Sequence, residues 1–135
     1  MVVPELMVMT RGPLILVIDD NADHVLIQST LLGYHGYDVI SAPDTAEGLR
    51  IARLRRPALI LLDLHYGGAP LGLAALRDLA GDPLTADIPV IINTAFADLY
   101  RRELALERVR IVQKDFSPEA LLEAVREIVP PPDPA

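Results

Sequence analysis

Four short stretches carry side chains suited to metal and phosphoryl chemistry. LVIDDN ends an aliphatic run in the adjacent carboxylates Asp19 and Asp20, LILLDL carries Asp63, VIINTA carries Thr94, and IVQKDF carries Lys114. Crowded carboxylates repel one another, and a hard divalent cation with a preference for oxygen offsets that repulsion. Magnesium, or manganese in its place, takes one or two protein carboxylates, keeps several waters and leaves room for phosphate oxygens. A lysine ammonium and a threonine hydroxyl are the donors an incoming phosphoryl group needs. A carboxylate such as Asp63 can serve as the nucleophile, because carboxylates form acyl phosphates. All of this requires that the four stretches meet.

The elements between them explain how they would. Leu14 to Ile18 is a continuous apolar run rich in β-branched residues, which suits a strand covered on both faces. Asn21 is placed to cap a helix carrying Val25, Leu26 and Leu32 on one side, ended by Gly33 and Gly36. Val39 and Ile40 mark a second strand, and Thr45 to Arg55 a second helix with Leu49, Ala52 and Leu54 apolar, stopped by Pro57. Ala58 to Leu62 is the third strand, ending at Asp63. A loop from His65 to Pro70 then leads into a helix around Gly72 to Ala80. Pro89 to Asn93 is the fourth strand, ending at Thr94; a helix around Asp98 to Glu107 follows, then a fifth strand, Val109 to Gln113, ending at Lys114. Ser117 and Pro118 open a last helix with Leu121, Leu122, Val125 and Ile128 inward. Strand and helix alternate five times, which predicts an α/β domain with a doubly wound, five-stranded parallel sheet of flavodoxin-like (βα)5 type. Ligands of such sheets bind beyond the carboxyl ends of the strands. Asp19, Asp20, Asp63, Thr94 and Lys114 all stand at those ends.

Composition narrows the setting. The 135 residues fit one domain, expected as an N-terminal arm over 1–13, the domain over 14–129 and a proline-rich tail over 130–135. No cysteine is present, which excludes disulfides and thiolate metal sites and favours a cytoplasmic location. A net charge of −7 argues against direct nucleic-acid binding, which needs a basic face. The opening MVVPELMVMT is interrupted by Pro4 and Glu5 and is too short to span a bilayer, so no membrane association is expected.

LVIDDN, LILLDL, VIINTA and QKDFSPEALLEAV, in this order, resemble the receiver domain of bacterial two-component response regulators from Leu14 to Val129. The resemblance implies that Asp63 is the phosphoacceptor, and that Asp20 binds the metal with Asp19 assisting and the His65 backbone carbonyl as a further ligand. It also implies that Thr94 and Lys114 contact the phosphoryl group. The implied donor is a sensor histidine kinase or a phosphotransfer protein. The implied role is that of a stand-alone phosphoacceptor, not an enzyme with a separate substrate, whose output passes to a downstream protein. Homodimerisation stays open.

The chain departs from the family in four places. Tyr66 and Gly67 replace the usual methionine and proline after the phosphoacceptor. Ile111 stands where an aromatic residue usually switches rotamer. Asp115 replaces a proline that normally follows the lysine with a cis bond, a geometry that costs a non-proline residue about 2.5–4 kcal/mol. Phe96, two beyond Thr94, stands where access of the hydrolytic water is tuned, and its bulk is expected to lengthen the phosphorylated state. These departures support a competing reading, a receiver-like protein-binding module that works without phosphorylation. A flavin carrier fits poorly, since Asp19 and Asp20 would repel its phosphate. So does a haloacid dehalogenase-type phosphatase, which wants an acid where His65 stands. Taken singly, an acidic pair before a helix is an N-terminal cap more often than a metal site. His24 and His35 read as surface residues without partners at metal-like spacing, and the arginines of Arg50 to Arg56 as a solvated helix end.

Overall fold

The computed structural model describes residues 12–63, 68–94, 109–113 and 118–131. In chain order they form β1 (Leu14–Asp19), α1 (Ala22–Tyr34), β2 (Asp38–Ala42), α2 (Thr45–Arg55), β3 (Leu59–Asp63), α3 (Gly68–Gly81), β4 (Val90–Thr94), β5 (Val109–Gln113) and α4 (Pro118–Ile128). The strands make one parallel sheet in the order β2-β1-β3-β4-β5. The order reverses at β1, so the crevice between the ends of β1 and β3 is the topological switch point where such sheets hold ligands. In that register Asp19 lies directly opposite Asp63. The expected helix around Asp98 to Glu107 lies outside the described residues.

The sheet is buried on both faces, as the apolar runs predicted. Ile15, Val17, Leu59, Leu61 and Ile91 pack with Leu32 of α1 and with Leu121, Leu122 and Val125 of α4. Leu16, Ile18, Ile60, Leu62, Val90 and Ile92 pack on the other face with α2 and α3. Each fully buried aliphatic side chain contributes about 1.5–3 kcal/mol, so the strands are fixed in register by the face each residue must reach. Gly48 lets α2 lie close to β1: a Cβ there would stand 2.4 Å from Ile18 Cδ1.

Several local expectations are corrected. Leu26 is 67% exposed and does not share a side with Leu32, and Leu54, though apolar, is 68% exposed. At 100° per residue Leu26 lies 120° away from Leu32 around the helix, and Leu54 is almost opposite Ala52. Gly33 does not end α1, which runs to Tyr34, and the turn is made by Gly36 at φ 96°. α3 starts at Gly68, not around Gly72, and so takes in Pro70, whose missing N–H is no loss in a first turn. The arginines of α2 are not all simply solvated: Arg50 pairs with Glu47, and Arg53 Nε lies 2.8 Å from Asp82. His35 meets Arg126 of α4, with Nη2 2.8 Å from its Nδ1. Beside it the Tyr37 hydroxyl donates to the Val129 carbonyl at 2.6 Å, closing the α1–β2 turn onto the end of α4. Burial raises the Tyr37 phenol above its ordinary value, against the opposing pull of the Arg126 charge.

Candidate functional site

Strand alternation decides which of the strand-end groups share a face. Asp19 follows Ile15 and Val17 at period two, Asp63 follows Leu59 and Leu61, and Asn93 follows Ile91, so all three belong to the α1 and α4 side of the sheet. Over that side comes α1. Its N-cap, Asn21, accepts the His24 backbone N–H on its side-chain oxygen at 2.9 Å, which fixes where the first turn begins. His24, Gln28 and Leu32 then fall on one stripe at intervals of four. Leu32 enters the core, while Gln28 and His24 reach the acidic strand ends.

Asp63 has no exposed surface and Asp19 only 2%, so two adjacent carboxylates have given up bulk water together. Such burial is tolerated only when donors replace that water. On Asp19, Oδ1 accepts the Asn21 backbone N–H at 2.9 Å, and Oδ2 lies 2.7 Å from His24 Nδ1. On Asp63, one oxygen, Oδ2, receives the Asn93 amide at 2.9 Å and the Gln28 amide at 3.0 Å, with His24 Nδ1 at 3.3 Å. His24 Nδ1 thus faces both acids, in hydrogen-bond contact with Asp19 Oδ2 and within ion-pair distance of Asp63 Oδ2. Gln28 is 4% exposed, and its Oε1 has no hydrogen-bond partner.

The site expected from sequence is thus gathered in part. Asp19 and Asp63 are together, and Thr94 is buried at the end of the neighbouring strand β4. Asp20 is half-buried at the bend after β1. Among the described residues, the group whose donor atoms all lie within 4.8 Å of one another is Asp19, His24 and Asp63, without Asp20. Ile111 is half-buried and packs on the α2 and α3 side, opposite Ile92 in the sheet register. His65, Phe96, Lys114 and Asp115 lie outside the described residues, as do Tyr66 and Gly67. His24 is a correction: it is not a surface histidine but stands inside the acidic site. Gln28 and Asn93 were missed as well. The signals for them were present, in the four-residue stripe from His24 through Gln28 to Leu32 and in the two-residue step from Ile91 to Asn93.

Two buried carboxylates at the carboxyl ends of adjacent strands, one of them held by two side-chain amides, suit an oxygen-seeking divalent ion and a phosphoryl acceptor. Comparison with known proteins agrees with that frame. Residues 15–126 match the response regulator receiver domain. A probable transcriptional regulator, ycf27 of Porphyridium aerugineum, is 37% identical over 117 residues, 85% of this chain and 47% of its own length. The chain therefore belongs to the response regulator receiver family of two-component signalling. It spans about half the length of the ycf27 relatives it matches. Among solved structures, the chemotaxis response regulator CheY4 of Vibrio cholerae shares the fold at a TM-score of 0.75 and 22% identity, covering 87% of this chain and 98% of its own. The receiver domain of the sensor histidine kinase PA1611 of Pseudomonas aeruginosa, solved with magnesium coordinated in its active-site cleft, has a TM-score of 0.71 at 25% identity. It covers 86% of this chain and 96% of its own. No helix among the described residues is long and apolar enough to cross a membrane.

Proposed function

We propose that this module accepts a phosphoryl group on Asp63 from a sensor histidine kinase or a phosphotransfer protein, in a reaction that depends on magnesium or manganese. The observation that carries the reading is the pair Asp19 and Asp63, buried side by side at the switch point of a receiver fold. Two adjacent desolvated carboxylates are costly for stability alone, and a divalent ion offsets that cost. Asp19 and Asp63 would hold the ion together with Asp20, to which the family resemblance gives the direct bond with Asp19 assisting, and with the His65 carbonyl. A bound ion would neutralise charge on the incoming phosphoryl oxygens.

The chain's own residues do the rest. An Asp63 carboxylate oxygen attacks phosphorus, a P–N bond to the donor imidazole breaks, and that imidazole keeps the electron pair and takes a proton. Asn93 and Gln28 hold Asp63 Oδ2 through their amides, so one carboxylate rotamer is maintained for the attack. Thr94 and Lys114 are the residues assigned to the transferred group. The protein acts as a phosphoacceptor and not as a catalyst for a separate substrate, and its output passes through contact with another protein. A net charge of −7 favours a protein partner over direct nucleic-acid contact by this module.

One observation favours a second reading. Ile111 takes the place of a switching aromatic and is packed against the core, which leaves the module without that rotamer change and suits a phosphorylation-independent binding role. Incubation with acetyl phosphate and magnesium, followed by intact mass measurement, separates the two. A one-phosphoryl adduct in the parent that is absent from Asp63→Asn supports the first reading. No adduct with acetyl phosphate or with phosphoramidate supports the second.

A further inference from the structure

We propose that His24 is a nitrogen ligand of the divalent-ion site, and that it turns the site's preference from magnesium towards ions that accept imidazole, such as cobalt, zinc and nickel. The inference deepens the reading of Asp19 and Asp63 as metal ligands and rests on it. Its basis is the position of one ring nitrogen. His24 Nδ1 stands 2.7 Å from Asp19 Oδ2 and 3.3 Å from Asp63 Oδ2, and the three donor atoms all lie within 4.8 Å of one another. Ligands bonded to one ion at about 2.0–2.2 Å are themselves about 3–3.5 Å apart, so these atoms need only small movements to share an ion. Ligation needs a proton-free Nδ1, and a proton held there leaves to solvent.

The surroundings are built to hold the ring there. Asn21 caps the helix at the His24 backbone N–H, and the Gln28 amide nitrogen lies 3.3 Å from the ring nitrogens while donating to Asp63. Gln28 is itself 4% exposed, and its carbonyl oxygen has no hydrogen-bond partner, so a buried acceptor beside the site remains for a water carried by an ion. Two carboxylates alone form an oxygen site of the magnesium kind. The added imidazole supplies the donor that borderline transition ions favour and magnesium does not, and affinity for nitrogen-bearing sites rises from manganese through cobalt to nickel and copper.

The test uses the whole chain and the metals themselves. Cobalt and magnesium affinities are measured by calorimetry on the parent, His24→Ala and His24→Gln, with the cobalt absorption spectrum recorded on each. Far-UV circular dichroism checks that the variants fold; His24 is only half-buried in a first helical turn, so both should. The expected result is a cobalt-to-magnesium affinity ratio that falls about tenfold or more in both variants, the lower end of what loss of even an outer-shell partner costs. The cobalt spectrum should lose its nitrogen-ligand character in parallel. A ratio that stays the same or rises would overturn the inference, with magnesium binding and the Asp63 assignment intact. If neither ion bound the parent, the metal-site reading itself would fall and this inference with it.

Discussion

Replacing the charge on Asp63 without changing its shape tests whether the two buried carboxylates oppose folding. In Asp63→Asn the repulsion from Asp19 disappears. The donor oxygens concerned lie within 4.8 Å, so at an effective dielectric of about 20 the term removed is about 3.5 kcal/mol. The variant also weakens the charge-assisted bonds from Asn93 and Gln28, at about 1 kcal/mol each. The balance is a net gain of about 1–2 kcal/mol without divalent ions. With an m-value of about 2 kcal/mol/M this is a rise of about 0.5–1 M in the urea midpoint. Magnesium at a hundred times its dissociation constant should stabilise the parent by about 2.7 kcal/mol and the variant by much less, reversing the order. The assay is urea unfolding in chelator and in magnesium, followed by far-UV circular dichroism because the chain has no tryptophan. A variant no more stable than the parent in chelator, or magnesium stabilising both equally, would refute the reasoning.

Further outcomes follow from the packing. Gly48→Ala should destabilise by about 1–2 kcal/mol in urea melts, since overpacking against Ile18 outweighs the gain in helix propensity; a neutral or stabilised variant would show that α2 can move away from β1. Tyr37→Phe should cost about 1 kcal/mol near neutral pH through loss of the bond to Val129. The folded phenol titrates above its ordinary value of 10.0, so the parent's extra stability is complete below pH 10 and is lost as pH rises through the folded value. Melts of the two proteins should therefore converge above pH 10, and a constant gap would count against the assignment. Asn93→Ala should slow acetyl phosphate labelling of Asp63 by several-fold while leaving the fold intact, measured as the rate of adduct formation by mass; an unchanged rate would remove Asn93 from the positioning role.

The sheet was legible because both of its faces are buried. Runs such as Leu14 to Ile18 and Leu59 to Leu62 have no polar interruption to confuse the period, and the alternation of strands with helices leaves few topologies. α1 was less legible: Leu26 and Ile27 are apolar yet exposed, so hydrophobicity alone pointed to the wrong side of the helix. The same ambiguity hid His24. A polar residue on an inward stripe looks like a surface residue unless the stripe is followed to the strand end it covers, and Gln28 and Asn93 were hidden for the same reason. Asp19 and Asp63 were found because acidic, hydroxyl and ammonium groups end four different strands, a coincidence that a helix cap or a solvated strand end taken singly does not explain. Their direct opposition depends on register, which the sequence of either strand alone does not specify.

On the proposed reading a carboxylate oxygen of Asp63 accepts the phosphoryl group. Treating the protein with acetyl phosphate and magnesium, reducing any acyl phosphate with borohydride, and mapping the product by peptide mass spectrometry tests it most directly. Conversion of residue 63 to homoserine, dependent on magnesium and on the phosphodonor, is the predicted result. Homoserine at position 19 or 20, or unmodified aspartate at 63 under full labelling conditions, would contradict it.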